Sequence, residues 1–171
     1  PALSFGDMKT VFALSKSLRP DEELLRMLKH SLKNRTGRDK RILELDLIAL
    51  YLDPRNPCFA PEKGKGIIDA WESSNHLGGK SKRRLLKLKA QYHRCMKNYD
   101  KAAELFRKSG KVYDEGVCWQ YLGKWSKAIR CFDDYVKRKG KIAKGARNRI
   151  RRTITSFLDE GGRNLPLRSS L

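Results

Sequence analysis

Acidic residues are scarce in this chain, cysteines are few, and no apolar run is long. Each shortage removes a class of protein. The four cysteines are Cys58, Cys95, Cys118 and Cys131, and no two have CxxC spacing. That density does not staple a secreted domain, and that spacing does not build a zinc ribbon. They read as reduced, mostly buried small hydrophobes. No stretch approaches the roughly 18 consecutive apolar residues of a membrane-crossing helix. The first residues hold no signal-peptide core, so cytoplasm or nucleus is the expected compartment. Strand signals are missing too, because apolar and polar residues nowhere alternate over a β-branched run.

Catalytic and metal-binding patterns are equally thin. His93 and Cys95 are two apart, which on a helix turns them to different sides. His30 and His76 stand alone. The pairs Asp114-Glu115 and Asp133-Asp134 read as solvated surface. Gly64-Lys65-Gly66 and Gly78-Gly79-Lys80-Ser81 lack the Walker spacing and a preceding strand. The expectation is a non-catalytic protein with no metal, no cofactor and no small-molecule substrate.

What the chain has in excess is positive charge. Lys and Arg number 39 against 19 Asp and Glu, a net of +20. Residues 1–78 carry 13 basic and 11 acidic residues, and residues 79–171 carry 26 and 8. The second half is a polycation and the first is nearly neutral. Such asymmetry points to nucleic acid, an acidic protein or an anionic membrane surface as partner.

Apolar spacing is helical nearly throughout. Met8, Val11, Phe12, Leu14 and Leu18 predict a helix over 7–18. Pro20 and Asp21-Glu22-Glu23 suit the first turn of a second, with Leu24, Leu25, Leu28 and Leu32 on its face. A third, over 38–52, is apolar on most sides and should be central. Residues 53–65 read as a loop. A short helix around Ile67, Ile68, Ala70 and Trp71 follows, capped by His76 to Gly79. Further helices are predicted over 80–97, 99–109, 111–122, 125–138 and 141–159. The last carries Ile142, Ala146, Ile150, Ile154, Phe157 and Leu158 as its apolar stripe. The tail from Gly161 should be loose.

Two of these helices echo each other 26 positions apart. Tyr99, Ala102 and Phe106 recur as Trp125, Ala128 and Phe132. A small residue lets two helices approach, and aromatics a turn away fill the space beside them. The phrase from Leu122-Gly123 through Trp125 and Ala128 to Phe132 resembles the second helix of a tetratricopeptide repeat. Asn98-Tyr99, Ala102 and Phe106 match it with Asn at the turn glycine. Gly116 and Trp119 fall where that family's first helix has a small residue and an aromatic. Residues 49–56, with Pro54 as an exit proline and Gly37 at the matching turn, are similar to part of another unit, although Ile42 and Asp46 occupy its alanine and aromatic positions. The family period is about 34 residues, and the closing prolines are missing from both C-terminal units. The resemblance is therefore to degenerate, irregular hairpins. It implies a scaffold that binds peptide or protein in a groove and carries no catalytic residues; a generic helical bundle is the alternative.

The resulting expectation is an all-α protein of eight or nine helices in irregular antiparallel hairpins, a tetratricopeptide-like α-solenoid or a compact bundle. One domain should span 1–160. Two basic segments are the candidate binding residues: Lys80, Lys82, Arg83, Arg84 and Lys87, then Lys137, Arg138, Lys139, Lys141, Lys144, Arg147, Arg149, Arg151 and Arg152. On a helix, Lys144, Arg147 and Arg151 line up with Lys141 nearby, opposite the apolar stripe, which suits tracking of phosphates. No zinc-finger, RNP or basic-zipper pattern is present, so RNA or other nucleic acid would be held by charge rather than sequence. The rival readings are an acidic protein partner, a scaffold gripping partners through Tyr92, Trp119 and Tyr121 or a helical fragment of a larger protein, whose basic runs serve nuclear import or solubility, and a small viral or accessory protein acting on membrane or viral RNA. The sequence leaves the oligomeric state open.

Overall fold

The computed structural model describes residues 22–73 and 79–160, and every regular element among them is an α-helix. There are eight: α1 (Glu22–Lys33), α2 (Gly37–Tyr51), α3 (Pro61–Glu72), α4 (Gly79–Cys95), α5 (Tyr99–Lys108), α6 (Val112–Tyr121), α7 (Trp125–Lys139) and α8 (Lys144–Asp159). The helix expected over 7–18, the Pro20 turn, the cap at His76 and the tail lie outside the described residues. Chain contacts divide between Met96 and Lys97. The charge changes near residue 79, earlier than this division, because the basic helix α4 packs on α2 and α3.

In the first unit α2 is central, as its apolar circumference predicts. Leu43, Leu45, Leu47, Ile48, Leu50 and Tyr51 are all buried, and the helix touches α1, α3 and α4. Leu45, Ile48 and Leu52 meet Ile68 and Trp71 from α3 and Leu85 and Leu88 from α4. Burying large side chains of this kind is the main stabilising contribution, about 1.5–3 kcal/mol each. The helix α3 starts earlier than the sequence reading placed it. Pro61 takes the first-turn position, where a missing N–H costs nothing, and Glu62 complements the dipole. Only residues 53–60 remain as loop. Buried Asn56 ties that loop down, donating from Nδ2 to the Leu50 carbonyl (3.2 Å) and accepting from the Cys58 N–H at Oδ1 (2.9 Å). Gly79 opens α4 instead of capping α3.

In the second unit consecutive helices pack as antiparallel hairpins, α5 on α6, α6 on α7 and α7 on α8. The direction is visible in the pairs that meet. Tyr99 at the start of α5 stacks on Tyr121 at the end of α6, with ring centroids 4.8 Å apart. Tyr113 near the start of α6 meets Tyr135 near the end of α7 at 5.0 Å. The Trp125 indole at the start of α7 donates to Glu160 Oε2 just past α8 (2.6 Å). Ala102, Phe106, Ala128 and Phe132 are all buried. Gly116 explains the close crossing of α6 and α7, because a Cβ there would stand 2.7 Å from the Phe132 ring.

The turns of this unit are copies of one another. Gly110 and Gly123 have φ of +73° and +65°, and Lys111 and Lys124 follow with ψ near +65° and +63°. Lys111 N–H bonds to the Phe106 carbonyl (2.8 Å) and Lys124 N–H to that of Trp119 (2.9 Å). Gly110 and Gly123 N–H bond to Arg107 and Gln120. This is the Schellman pattern, and it needs a residue tolerant of left-handed φ at its hinge. Lys97 occupies the same place before α5 with φ of +59°.

Candidate nucleic-acid interface

The expected basic residues divide by what surrounds them. On α4, Lys80, Lys82 and Arg83 are exposed near the N-terminal end, and Lys87 is half-buried. Arg84 is spoken for, because its guanidinium donates to the Asp46 carboxylate of α2. On α7, Lys137 pairs with Asp133 at 2.8 Å and Arg138 with Asp134 at 2.6 Å, each one turn back along the helix. Exposed pairs of this kind add little stability, but their two carboxylates offset part of the charge that the segment offers to an anion. Asp133 and Asp134 are thus ion-pair partners and not merely solvated.

The helix α4 is the more basic by count, with seven Lys and Arg and no acid, but Arg84 and Lys89 pair with Asp46 and Glu72. The helix α8 carries five basic residues and a single acid, Asp159, at its last position. Lys144, Arg147, Arg151 and Arg152 are exposed. Lys139 and Lys141 are also exposed, but Lys141 precedes the helix and belongs to the connector, so it does not extend the helical stripe. Lys144 to Arg152 covers about 12 Å of helix axis.

Two expectations about α8 are corrected. Arg149 does not join the outward cations. It is half-buried, and its Nη1 donates to Gln120 Oε1 of α6 at 3.1 Å. It also faces Tyr113, whose hydroxyl is pushed up from its ordinary pKa by burial, against an opposing pull from Arg149. The apolar stripe is rotated as well. Ile154 is 41% exposed and Leu158 62%, whereas Thr153 is fully buried. The packed face runs Ala146, Ile150, Thr153, Phe157, at i, i+4, i+7 and i+11. Thr153 fits there because its hydroxyl donates to the Arg149 carbonyl (3.0 Å), which satisfies the buried oxygen within the helix. The outward stripe is then Arg147, Arg151, Ile154, Leu158 at the same spacing, cationic at its start and apolar at its end.

Sequence reasoning also missed Glu115. Expected on the surface, it is only 9% exposed and accepts from the Trp119 indole at 3.2 Å. The Cys131 thiol beside it is pushed up to about 12, first by burial and then by the Glu115 carboxylate. A one-turn i, i+4 match of acid and indole was the available signal. Trp119 in turn receives Lys124 and Lys127 over its ring at 5.2 and 4.7 Å. Tyr92, grouped with Trp119 and Tyr121 in one candidate groove, belongs to the first unit, where its hydroxyl bonds to Glu62 at 3.1 Å.

Among the described residues no three His, Cys, Asp or Glu side chains gather to hold a metal ion, and no helix is long and apolar enough to cross a membrane. Compared with protein-family models, curated proteins and solved structures, the chain matches none of them.

Proposed function

We propose that this chain is a non-catalytic binding protein that holds nucleic acid, RNA before DNA, by its phosphates on the outward face of α8. The observation that carries the reading is that four cations of α8 are exposed, whereas α4, though more basic, commits Arg84 and Lys89 to Asp46 and Glu72, and α7 pairs Lys137 and Arg138 with its own acids. Lys and Arg side chains on a rigid helix meet phosphates by displacing counterions, which gives affinity without reading bases. Arginine suits the task because its planar fork grips phosphate through two bonds. The scaffold behind it, α5 to α8, is on this reading a degenerate relative of the tetratricopeptide unit, with small residues at the helix crossings and matched glycine turns.

The test is direct. The full chain, purified at high salt, is titrated against labelled generic RNA, generic DNA and anionic liposomes over a range of salt. The reading expects salt-sensitive RNA binding that Arg147→Glu/Arg151→Glu abolishes with helicity unchanged. Unaltered affinity in that variant sinks it, and binding confined to liposomes replaces it with a membrane role.

A further inference from the structure

In the first unit, α2 and α3 leave a cleft of about 720 Å³ between them. Lys40 and Tyr51 line it from α2, and Lys63, Gly66, Ile67 and Trp71 line it from α3. The α3 residues fall at i, i+3, i+4 and i+8, one face of a helix about 12 Å long. The cleft is thus a furrow along two antiparallel helices.

Gly66, on the furrow wall, has no packing or backbone reason to be glycine. A glycine inside a helix weakens it. Gly64 and Gly116 sit against neighbours, since an added Cβ would meet Leu52 at 3.3 Å and Phe132 at 2.7 Å. At Gly66 an added Cβ meets nothing within 4 Å, and its backbone has no positive φ. Gly145 is equally open but lies in the first turn of α8. Gly66 stands mid-helix on the cleft wall, where its missing side chain leaves space for another backbone.

We propose that the α2–α3 cleft docks an acidic amphipathic helix of a partner protein. Two antiparallel helices offer the groove that a third helix fills, with apolar anchors spaced at i, i+3, i+4 and i+7. Ile67 and the edges of Tyr51 and Trp71 form an apolar floor. Lys40 stands on the α2 wall and Lys63 on the α3 wall, placed for carboxylates flanking the anchors. Glu44 also lines the cleft, but its carboxylate is held by the Trp71 indole N–H at 2.8 Å. A nucleic-acid strand fits less well. Tyr51 and Trp71 are buried, leaving no open ring face for a base.

Fluorescence anisotropy on the full chain tests this with labelled synthetic probes. One helical peptide carries Leu at the anchor positions and Glu beside them, a second has Lys for each Glu, a third has Ser for each Leu, and the fourth probe is an oligouridylate. The Glu–Leu peptide should bind and the other two peptides should bind at least tenfold more weakly. Gly66→Leu fills the furrow without strain, so it should weaken the Glu–Leu peptide at least tenfold while the Tm holds or rises. Lys40→Glu/Lys63→Glu should shift preference toward the Lys peptide. Arg147→Gln/Arg151→Gln should leave peptide binding unchanged, which separates this site from the α8 surface. The proposal fails if no peptide binds, if the Lys peptide binds the unaltered chain equally well, or if Gly66→Leu leaves binding intact. It fails equally if Gly66→Leu weakens oligouridylate instead, or dissociates a dimer seen by sedimentation, which would make the occupant RNA or a second copy.

Discussion

Replacing Arg147 and Arg151 with Gln removes two charges from the exposed face of α8 and changes little else. Both side chains are exposed, and Gln and Arg have nearly equal helix propensity, so circular dichroism and Tm should hold. Four residues, Lys144, Arg147, Arg151 and Arg152, present the outward charge. If each engages one phosphate, log K against log salt falls with a slope of about −2.8 for single strands and about −3.6 for duplex. Going from 50 to 200 mM salt then weakens single-strand binding about fifty-fold and duplex binding about 150-fold. The double variant keeps two contacts, with slopes of about −1.4 and −1.8 and losses of about sevenfold and twelvefold over the same range. Anisotropy with a labelled RNA at five salt concentrations resolves the difference. A slope in the variant equal to that of the unaltered chain refutes the assignment, whatever happens to affinity at any one salt. A slope reduced as much by Lys82→Gln/Arg83→Gln refutes it too, since the phosphates would then sit on α4.

The two helical glycines at buried and open positions should respond with opposite signs. Gly116→Ala forces a methyl to within 2.7 Å of the buried Phe132 ring and should cost about 1–3 kcal/mol, read by urea denaturation; Gly66→Ala should gain up to about 1 kcal/mol. Lys97→Gly relieves the φ of +59° before α5 and should stabilise by about 1 kcal/mol, and a lower Tm would show that the lysine side chain makes a compensating contact. Cys131, raised to about 12, should react far more slowly than Cys58 with iodoacetamide at pH 8, because the thiolate is the nucleophile. The sign for stability follows. The native state holds that proton above the ordinary value of 9.0 while the unfolded chain releases it, so stability should decline as pH rises from about 9 toward 12. Cys131→Ser should flatten that decline, and an unchanged alkaline slope would contradict the burial of the thiol.

The helices were legible because apolar spacing reports burial on one face, and the errors occur where polarity and burial part company. Thr153 is polar by composition yet fully buried, because a threonine hydroxyl inside a helix can bond the carbonyl one turn back. Treating it as surface rotated the apolar stripe of α8 and drew Ile154 and Leu158 inward. Arg149 failed for the reciprocal reason. Its long stem lies along the packed face, and only the guanidinium reaches Gln120. Arg84, Lys137 and Arg138 counted as free charge in the sequence. The acids that occupy them are one turn away for α7, which spacing alone could reveal, but 38 residues away for Arg84, which only the fold brings near. The start of α3 was missed because three prolines in 53–61 read as loop, although the third sits where a helix accepts proline best.

The 26-residue echo has a simpler basis than a repeat of two-helix units. Left-handed φ falls at Lys97, Gly110 and Gly123, and helices open two residues later at Tyr99, Val112 and Trp125. The spacing is 13 each time, so the structural period is one helix and one turn, and the sequence echo appears at twice that period. Antiparallel packing gives the reason. Alternate helices point the same way, and only they place Tyr99, Ala102 and Phe106 in the same relation to a neighbour as Trp125, Ala128 and Phe132. The helix between, α6, lies reversed and meets both partners, so its small residue, Gly116, takes the close approach from Phe132. A regular tetratricopeptide period of about 34 residues accommodates longer helices than the ten residues of α5 and α6. Small and aromatic residues thus mesh at the crossings of helices too short for that period.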